Sequence, residues 1–149
     1  MHKILVIEDN FLLLEMIKES LEVGGFYPII TNTYQEGYDL FTAEQPDLIL
    51  CNYPFLEFNS LIILQKICHD AETLNIPLVF MLGYTIRAIP EWRFIREHPK
   101  ILVKPFSSII LLEKIHTLLQ MAQTPPIQDL VSNQVLDLRK NWNLVLNFE

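Results

Sequence analysis

Asn52, whose side chain can both donate and accept hydrogen bonds, follows an uninterrupted run of apolar residues. The run from Leu48 to Cys51 contains no polar residue, which is typical of a strand buried on both faces of a parallel sheet. Open α/β sheets bind ligands beyond the carboxyl ends of their strands, so we expect a functional residue at this end. A carboxamide donates and accepts hydrogen bonds, but it is not a nucleophile because its lone pair is delocalised. We therefore expect Asn52 to bridge neighbouring polar groups by hydrogen bonds rather than to act in covalent catalysis.

Other side chains with catalytic or ligating chemistry do not form a recognisable motif. Glu8 and Asp9 follow the first strand pattern, where a nucleotide or flavin site would need a glycine- or hydroxyl-rich loop, and these two carboxylates would repel phosphate. No arrangement of Ser, His and Asp indicates hydrolysis. The four histidines lie in different elements without the i, i+4 spacing of a metal site, and we expect ordinary surface or packing roles for them: His2, His69, His98 and His116.

Composition and charge limit the classes of function. The chain has 149 residues, is 50% hydrophobic and carries a formal charge of −7, which suits a single core and argues against direct nucleic-acid binding. No apolar run approaches the roughly 18 residues of a membrane span, and no signal peptide pattern follows Met1, so we expect a cytoplasmic protein without membrane association. Cys51 and Cys68 lie in apolar patterns, and we expect both to be reduced core residues.

Five strand patterns alternate with five helix patterns along the chain. Strands are predicted at 3–7, 26–31, 48–51, 76–82 and 100–103, and helices at 11–23, 34–44, 60–69, 91–97 and 107–121. Pro28 moves the second strand to an edge of the sheet or to a bulge, and Ser107 is the predicted cap of the last helix, whose packed side includes Ile110. Such alternation predicts a parallel sheet with helices on both faces, connected by right-handed crossovers.

Four marks in this framework resemble the receiver domain of two-component response regulators, over roughly residues 3–121. They are the acidic pair Glu8-Asp9, the run Pro46-Asp47-Leu48-Ile49-Leu50, the run Ile76-Pro77-Leu78-Val79, and Lys104-Pro105-Phe106. The resemblance implies an α/β, doubly wound (flavodoxin-like) five-stranded parallel sheet of order 2-1-3-4-5. It also implies an acidic pocket at the strand ends, formed by Glu8, Asp9, Asn52 and Lys104.

The departures from the receiver pattern concern its working parts. In the family, the third strand ends in an aspartate that accepts a phosphoryl group while Mg²⁺ is held by the acidic pair. Here Asn52 stands at that degenerate phosphoacceptor position, and a carboxamide makes no stable acyl phosphate. Leu82 replaces the usual hydroxyl residue, and Ile101 replaces the aromatic switch residue. Leu56 replaces a loop proline. The resemblance therefore predicts that standard phosphorylation does not occur.

The same residues set expectations for a cofactor. Glu8 and Asp9, with the carbonyl oxygen of Asn52 as a neutral ligand, would bind Mg²⁺ weakly at best because a third carboxylate is missing. We expect instead a metal-free pocket held by an ion pair between Lys104 and Asp9, with weak Mg²⁺ binding as the alternative. The Lys104-Pro105 peptide bond resembles one that is often cis in the family.

Beyond the receiver-like domain (1–122), residues 123–127 form a proline-containing linker, and 128–149 form an extension whose pattern predicts a β-hairpin. The favoured function is non-enzymatic: a pseudo-receiver that binds a protein partner, such as a histidine kinase or an output protein. A homodimer through the fourth helix, fifth strand and fifth helix, or through the extension, is a further expectation. That surface would include Ile86, Ile89, Trp92, Phe94 and Ile95. Two alternatives stay open: a receiver with a residual Mg²⁺- or ligand-dependent switch, and the N-terminal part of a winged-helix transcriptional regulator.

Overall fold

A computed structural model of the chain describes residues 1–53, 60–88, 90 and 98–123. Its strands are β1 (Lys3–Ile7), β2 (Tyr27–Thr31), β3 (Leu48–Tyr53), β4 (Leu78–Leu82) and β5 (Ile101–Val103). They form one parallel sheet in the order β2-β1-β3-β4-β5. The doubly wound fold class and the strand order expected from the sequence are therefore confirmed.

The helices lie on the two faces of this sheet. They are α1 (Phe11–Val23), α2 (Tyr34–Glu44), α3 (Ser60–Thr73) and α4 (Ser108–Gln123), and a 3-10 helix spans Tyr84–Ala88. Here α4 is the fifth helix of the sequence prediction. No helix in the described ranges is long and apolar enough to cross a membrane.

The strands send alternate side chains into two cores, which explains the unbroken apolar run of β3. Leu48 and Leu50 pack on the side of α1 and α4, whereas Ile49 and Cys51 pack on the side of α2 and α3. All six residues of β3 are buried, because this strand lies in the middle of a sheet that is covered on both faces. Cys51 and the partly buried Cys68 are both free thiols.

Side-chain caps fix where the helices begin, and so where the strand-end loops lie. The Asn10 side chain accepts a hydrogen bond from the backbone N–H of Leu13 at 3.0 Å. Ser107 Oγ accepts one from the backbone N–H of Ile110 at 3.2 Å. Each cap satisfies a backbone donor that has no partner inside its helix. The first cap holds the turn directly after Glu8 and Asp9.

Several predicted bounds agree with the structure and others differ. The bounds of β1, α1 and α2 are as predicted, and β2 is an edge strand as Pro28 indicated. β3 continues to Tyr53, so that Asn52 lies inside the strand, and α3 continues to Thr73. The packed position predicted for Ile110 is wrong, because its side chain is 50% exposed. It lies one residue before Leu111, about 100° around the helix from the buried stripe.

Some predictions fall outside the described residues. These are the loop at 54–59 with Leu56, the fourth helix at 91–97, and residues 124–149, which hold the extension and most of the linker. The linker was predicted to begin at residue 123, but Gln123 is the last residue of α4. The predicted surface residues Ile89, Trp92, Phe94 and Ile95 also lie outside them, and Ile86 is described only in its backbone.

His98 makes the connection before β5 sensitive to pH. Its Nδ1 accepts a hydrogen bond from the backbone N–H of Lys100 at 2.9 Å, which only an unprotonated nitrogen can do. Burial, followed by the charges of Lys100 and Lys114, lowers the pKa of His98 from 6.5 to about 4. Between these values the unfolded chain binds more protons than the folded chain. His98 therefore contributes stability that is lost as the pH falls through this window.

We predict that His98→Asn flattens this part of the pH dependence, because the carboxamide oxygen of the new side chain can accept the same hydrogen bond without titrating. Denaturant unfolding at about pH 7 and about pH 5 measures the effect, which should be on the order of 1 kcal/mol after discounting for solvent screening. Carboxylates that titrate in the same range are common to both proteins and cancel in the difference. Equal pH dependence in the two proteins would contradict this role for His98.

Candidate functional site

Four polar side chains meet at the carboxyl ends of the strands. Glu8 and Asp9 follow β1 directly, Asn52 lies near the end of β3, and Lys104 follows β5. Because β4 separates β3 from β5, the Lys104 side chain must reach across the end of β4 to contact Asn52. Its backbone N–H is anchored there, donating to the carbonyl of Leu82 at 2.8 Å. The parallel topology thus brings residues nearly a hundred positions apart into one pocket.

Asn52 connects the acidic and basic sides of this pocket. Its Nδ2 donates to Asp9 Oδ1 at 2.9 Å, and its Oδ1 accepts from Lys104 Nζ at 2.7 Å. The orientation of the amide is set by charge, since the reverse would turn an oxygen toward the Asp9 carboxylate and N–H groups toward an ammonium. The amide of Asn52 is buried, with 5% of the residue exposed, and both hydrogen bonds are partly buried.

Glu8 is the buried charge of the site. It is fully buried, and its Oε1 accepts from the backbone N–H of Asn10 at 3.1 Å and from Lys104 Nζ at 3.2 Å. Its Oε2 lies 3.0 Å from the same Nζ but accepts no hydrogen bond from a described residue. Burial raises the pKa of the Glu8 carboxyl, and Lys104 and the Asn10 N–H counteract part of this rise.

The ion pair of the pocket therefore differs from the one expected. Lys104 pairs with Glu8 rather than with Asp9. The reason is burial: Asp9 is exposed and water can solvate its charge, whereas a buried carboxylate is costly unless a cation lies beside it. Among the described residues, the amide of Asn52 links Asp9 to Lys104.

Tyr34 is a site residue that sequence reasoning missed. Its hydroxyl donates to the backbone carbonyl of Asn52 at 2.6 Å, and its side chain is 1% exposed. Tyr34 is the first residue of α2, directly after the cap Thr33. The sequence does place a tyrosine at the start of α2, directly after the carboxyl end of β2, on the side of the sheet where the pocket was expected. A buried hydroxyl needs a hydrogen-bond partner.

The two positions expected to lack switch chemistry are apolar and buried. Leu82 ends β4 with 2% exposure, and Ile101 opens β5 with 6% exposure. Ile101 is opposite Phe80 in the sheet register. The peptide bond between Lys104 and Pro105 is cis.

The donor set does not fit a magnesium ion. No group of three His, Cys, Asp or Glu side chains among the described residues is placed to hold a metal. The neutral oxygen of Asn52 is already in contact with the Lys104 ammonium at 2.7 Å. Glu8 Oε2 is buried and accepts no hydrogen bond from a described residue, so it could bind a cation. The Lys104 ammonium, 3.0 Å away, already provides one. Two carboxylates with an adjacent ammonium offer Mg²⁺ a poor site.

Response regulators are among the known proteins that this chain resembles. No family model matches the sequence. The chain is 26% identical over 88 residues to the polar-differentiation response regulator DivK of Brucella ovis, a match that covers 59% of this chain and 72% of DivK. DivK of Brucella anthropi is similar to the same extent.

Solved structures agree on the fold. A response regulator receiver domain from Clostridium thermocellum superimposes with a TM-score of 0.66 at 22% identity, covering 81% of this chain and 96% of that one. The receiver domain of the Francisella response regulator 1452 gives 0.62 at 19% identity, covering 83% and 100%. At these identities the likeness establishes the fold.

The fold is the one found in solved receiver domains, and over 88 residues the sequence is similar to that of a response regulator.

We predict that Tyr34→Phe lowers the free energy of unfolding by about 1 kcal/mol, because it removes the shorter side-chain hydrogen bond to the buried carbonyl of Asn52 and leaves the weaker one from Cys51 Sγ at 3.6 Å. Chemical denaturation measures the loss. Tyr27→Phe is the matched control, since Tyr27 is 52% exposed on the edge strand β2. If the two variants lose the same small amount, the Tyr34 hydrogen bond does not stabilise the strand end.

Proposed function

We propose that this chain is an atypical receiver, a pseudo-receiver, that acts as a phosphorylation-independent protein-interaction module in signal transduction. The observation that carries the proposal is the position of Asn52. Its carboxamide is hydrogen-bonded between Asp9 and Lys104, at the strand end where a receiver places its phosphoacceptor aspartate. In this proposal the domain is not an enzyme, and it relays a signal by contact.

The chemistry of the pocket supports the loss of phosphoryl transfer. A carboxylate can attack a phosphorus atom, whereas a carboxamide has its lone pair delocalised and makes no stable acyl phosphate. Leu82 and Ile101, which occupy the hydroxyl and aromatic switch positions in the receiver pattern, offer no hydrogen-bonding side chain with which to read a phosphoryl group. In this proposal both the acceptor and the readout of a receiver are absent.

Exposed apolar side chains on α1 and α4 support a role in binding proteins. Phe11 and Leu12 begin α1 and are 70% and 79% exposed, and Ile109 and Ile110 begin α4 and are 70% and 50% exposed. The start of α4 lies beside the second half of α1, since Ser108 Oγ is 2.6 Å from Ser20 Oγ. The two exposed pairs are therefore separate contact points on neighbouring helices, and exposed apolar side chains of this kind are available for protein contacts. The partner is a protein of the same pathway, with a histidine kinase or an output protein as the two expected classes.

Acetyl phosphate with Mg²⁺ tests this proposal directly. The wild-type protein should show no stable mass increase of one phosphoryl group, roughly 80 Da, in intact mass spectrometry. Asn52→Asp is the positive control, because it returns an anionic nucleophile to the same position and should gain the phosphoryl group there. A stable phosphoryl adduct on the wild-type pocket would favour the alternative, a receiver with a residual switch.

We further predict that Asn52→Asp binds Mg²⁺ more tightly than the wild type but does not switch. The new carboxylate completes a triad with Glu8 and Asp9, so metal affinity rises. Leu82 and Ile101 still cannot respond to a phosphoryl group, so the oligomeric state should stay unchanged when the variant is phosphorylated. Size-exclusion chromatography with light scattering measures this, and a large phosphorylation-dependent shift would contradict it.

A further inference from the structure

We infer that the pocket supplies its own cation: the Lys104 ammonium neutralises the charge that Mg²⁺ would neutralise, and the wild-type protein does not respond to magnesium. This inference rests on the proposed function, because it takes Asn52 as the residue at the phosphoacceptor position. It concerns a different property, since a receiver can bind Mg²⁺ without being phosphorylated.

The contacts of the ammonium are those expected of an enclosed cation. Nζ lies 3.0 Å and 3.2 Å from the two carboxylate oxygens of Glu8 and 2.7 Å from Asn52 Oδ1. These are two anionic oxygens and one amide oxygen, the same kinds of ligand that hard cations prefer. The lysine side chain is only 22% exposed, and that of Glu8 is not exposed. The charge compensation is therefore internal to the fold.

A magnesium ion would compete with this arrangement. It would share Asn52 Oδ1 with the ammonium, and Asp9 Oδ1 already accepts a hydrogen bond from Asn52 Nδ2. The ion would then share the Glu8 carboxylate with a lysine that already carries a positive charge. Like charges at such distances repel, and more strongly where burial lowers the effective dielectric constant.

The arrangement has a consequence for variants of the lysine. If the ammonium replaces the metal, removing it leaves Glu8 buried without a cation, and Mg²⁺ becomes the ion that can restore the charge balance. Lys104→Met keeps a long unbranched side chain without the charge. It should therefore lower the melting temperature in metal-free buffer and acquire a magnesium-dependent increase that the wild type lacks.

Thermal unfolding with and without about 20 mM MgCl₂, at constant ionic strength, is the test. The wild type should melt at the same temperature in both buffers, whereas Lys104→Met should recover by several degrees with MgCl₂. Lys3→Met is the matched control, because Lys3 pairs with Glu44 at 3.5 Å at the opposite end of the sheet. It should show no response to MgCl₂. Glu8→Gln in the Lys104→Met background removes the buried charge and should abolish the response.

The wild-type titration decides the inference even if Lys104→Met fails to fold. A magnesium-dependent rise in the wild-type melting temperature that disappears in Asp9→Asn would overturn it. So would a Lys104→Met protein that is destabilised but indifferent to MgCl₂. The proposed function fails separately, through a phosphoryl adduct on the wild type. A wild type that binds Mg²⁺ without forming that adduct would overturn only the present inference.

Discussion

The contact on which the site depends is the one between the Lys104 ammonium and the fully buried carboxylate of Glu8. An unpaired charge in this position would be expensive, and breaking such a pair by removing one partner typically costs about 3–5 kcal/mol. Because Glu8 follows β1 and Lys104 follows β5, the pair ties the second strand of the sheet order to an edge strand across the intervening β3 and β4. The side-chain carbonyl oxygen of Asn52 contacts the same ammonium.

Asn52 fits this arrangement because an amide has two different ends. It offers an oxygen to the lysine and N–H groups to Asp9, and it adds no charge of its own. With an aspartate at that position, three carboxylates would face one ammonium, and the excess negative charge would favour a metal ion. Asparagine differs from aspartate by one NH₂ group in place of a carboxylate oxygen. This difference at position 52 accounts for both proposed properties, the loss of phosphoryl transfer and the lack of a response to magnesium. The backbone of Asn52 is held independently by Tyr34.

Local patterns were sufficient to predict much of the fold. The bounds of β1, α1 and α2 follow from the hydrophobic periodicity of the sequence, and the strand order follows from the resemblance to receivers. The partner of Lys104 could not be predicted, since Glu8 and Asp9 are adjacent and only the path of the chain after β1 determines which carboxylate is buried. Tyr34 was missed for a similar reason, because its hydrogen bond joins two elements that local sequence does not relate. Ile110 was misplaced because the last helix is apolar beyond its buried stripe.

The most direct measurement of the central claim is the exchange of the Asn52 side-chain amide hydrogens, followed by ¹⁵N-edited NMR. If the amide is shielded and bonded to Asp9, one of its two hydrogens should exchange with solvent far more slowly than those of exposed asparagines such as Asn75. This protection should be lost in Asp9→Ala. Exchange of both Asn52 hydrogens at the rate of Asn75 would show that the amide does not bridge the pocket, and the account would be contradicted.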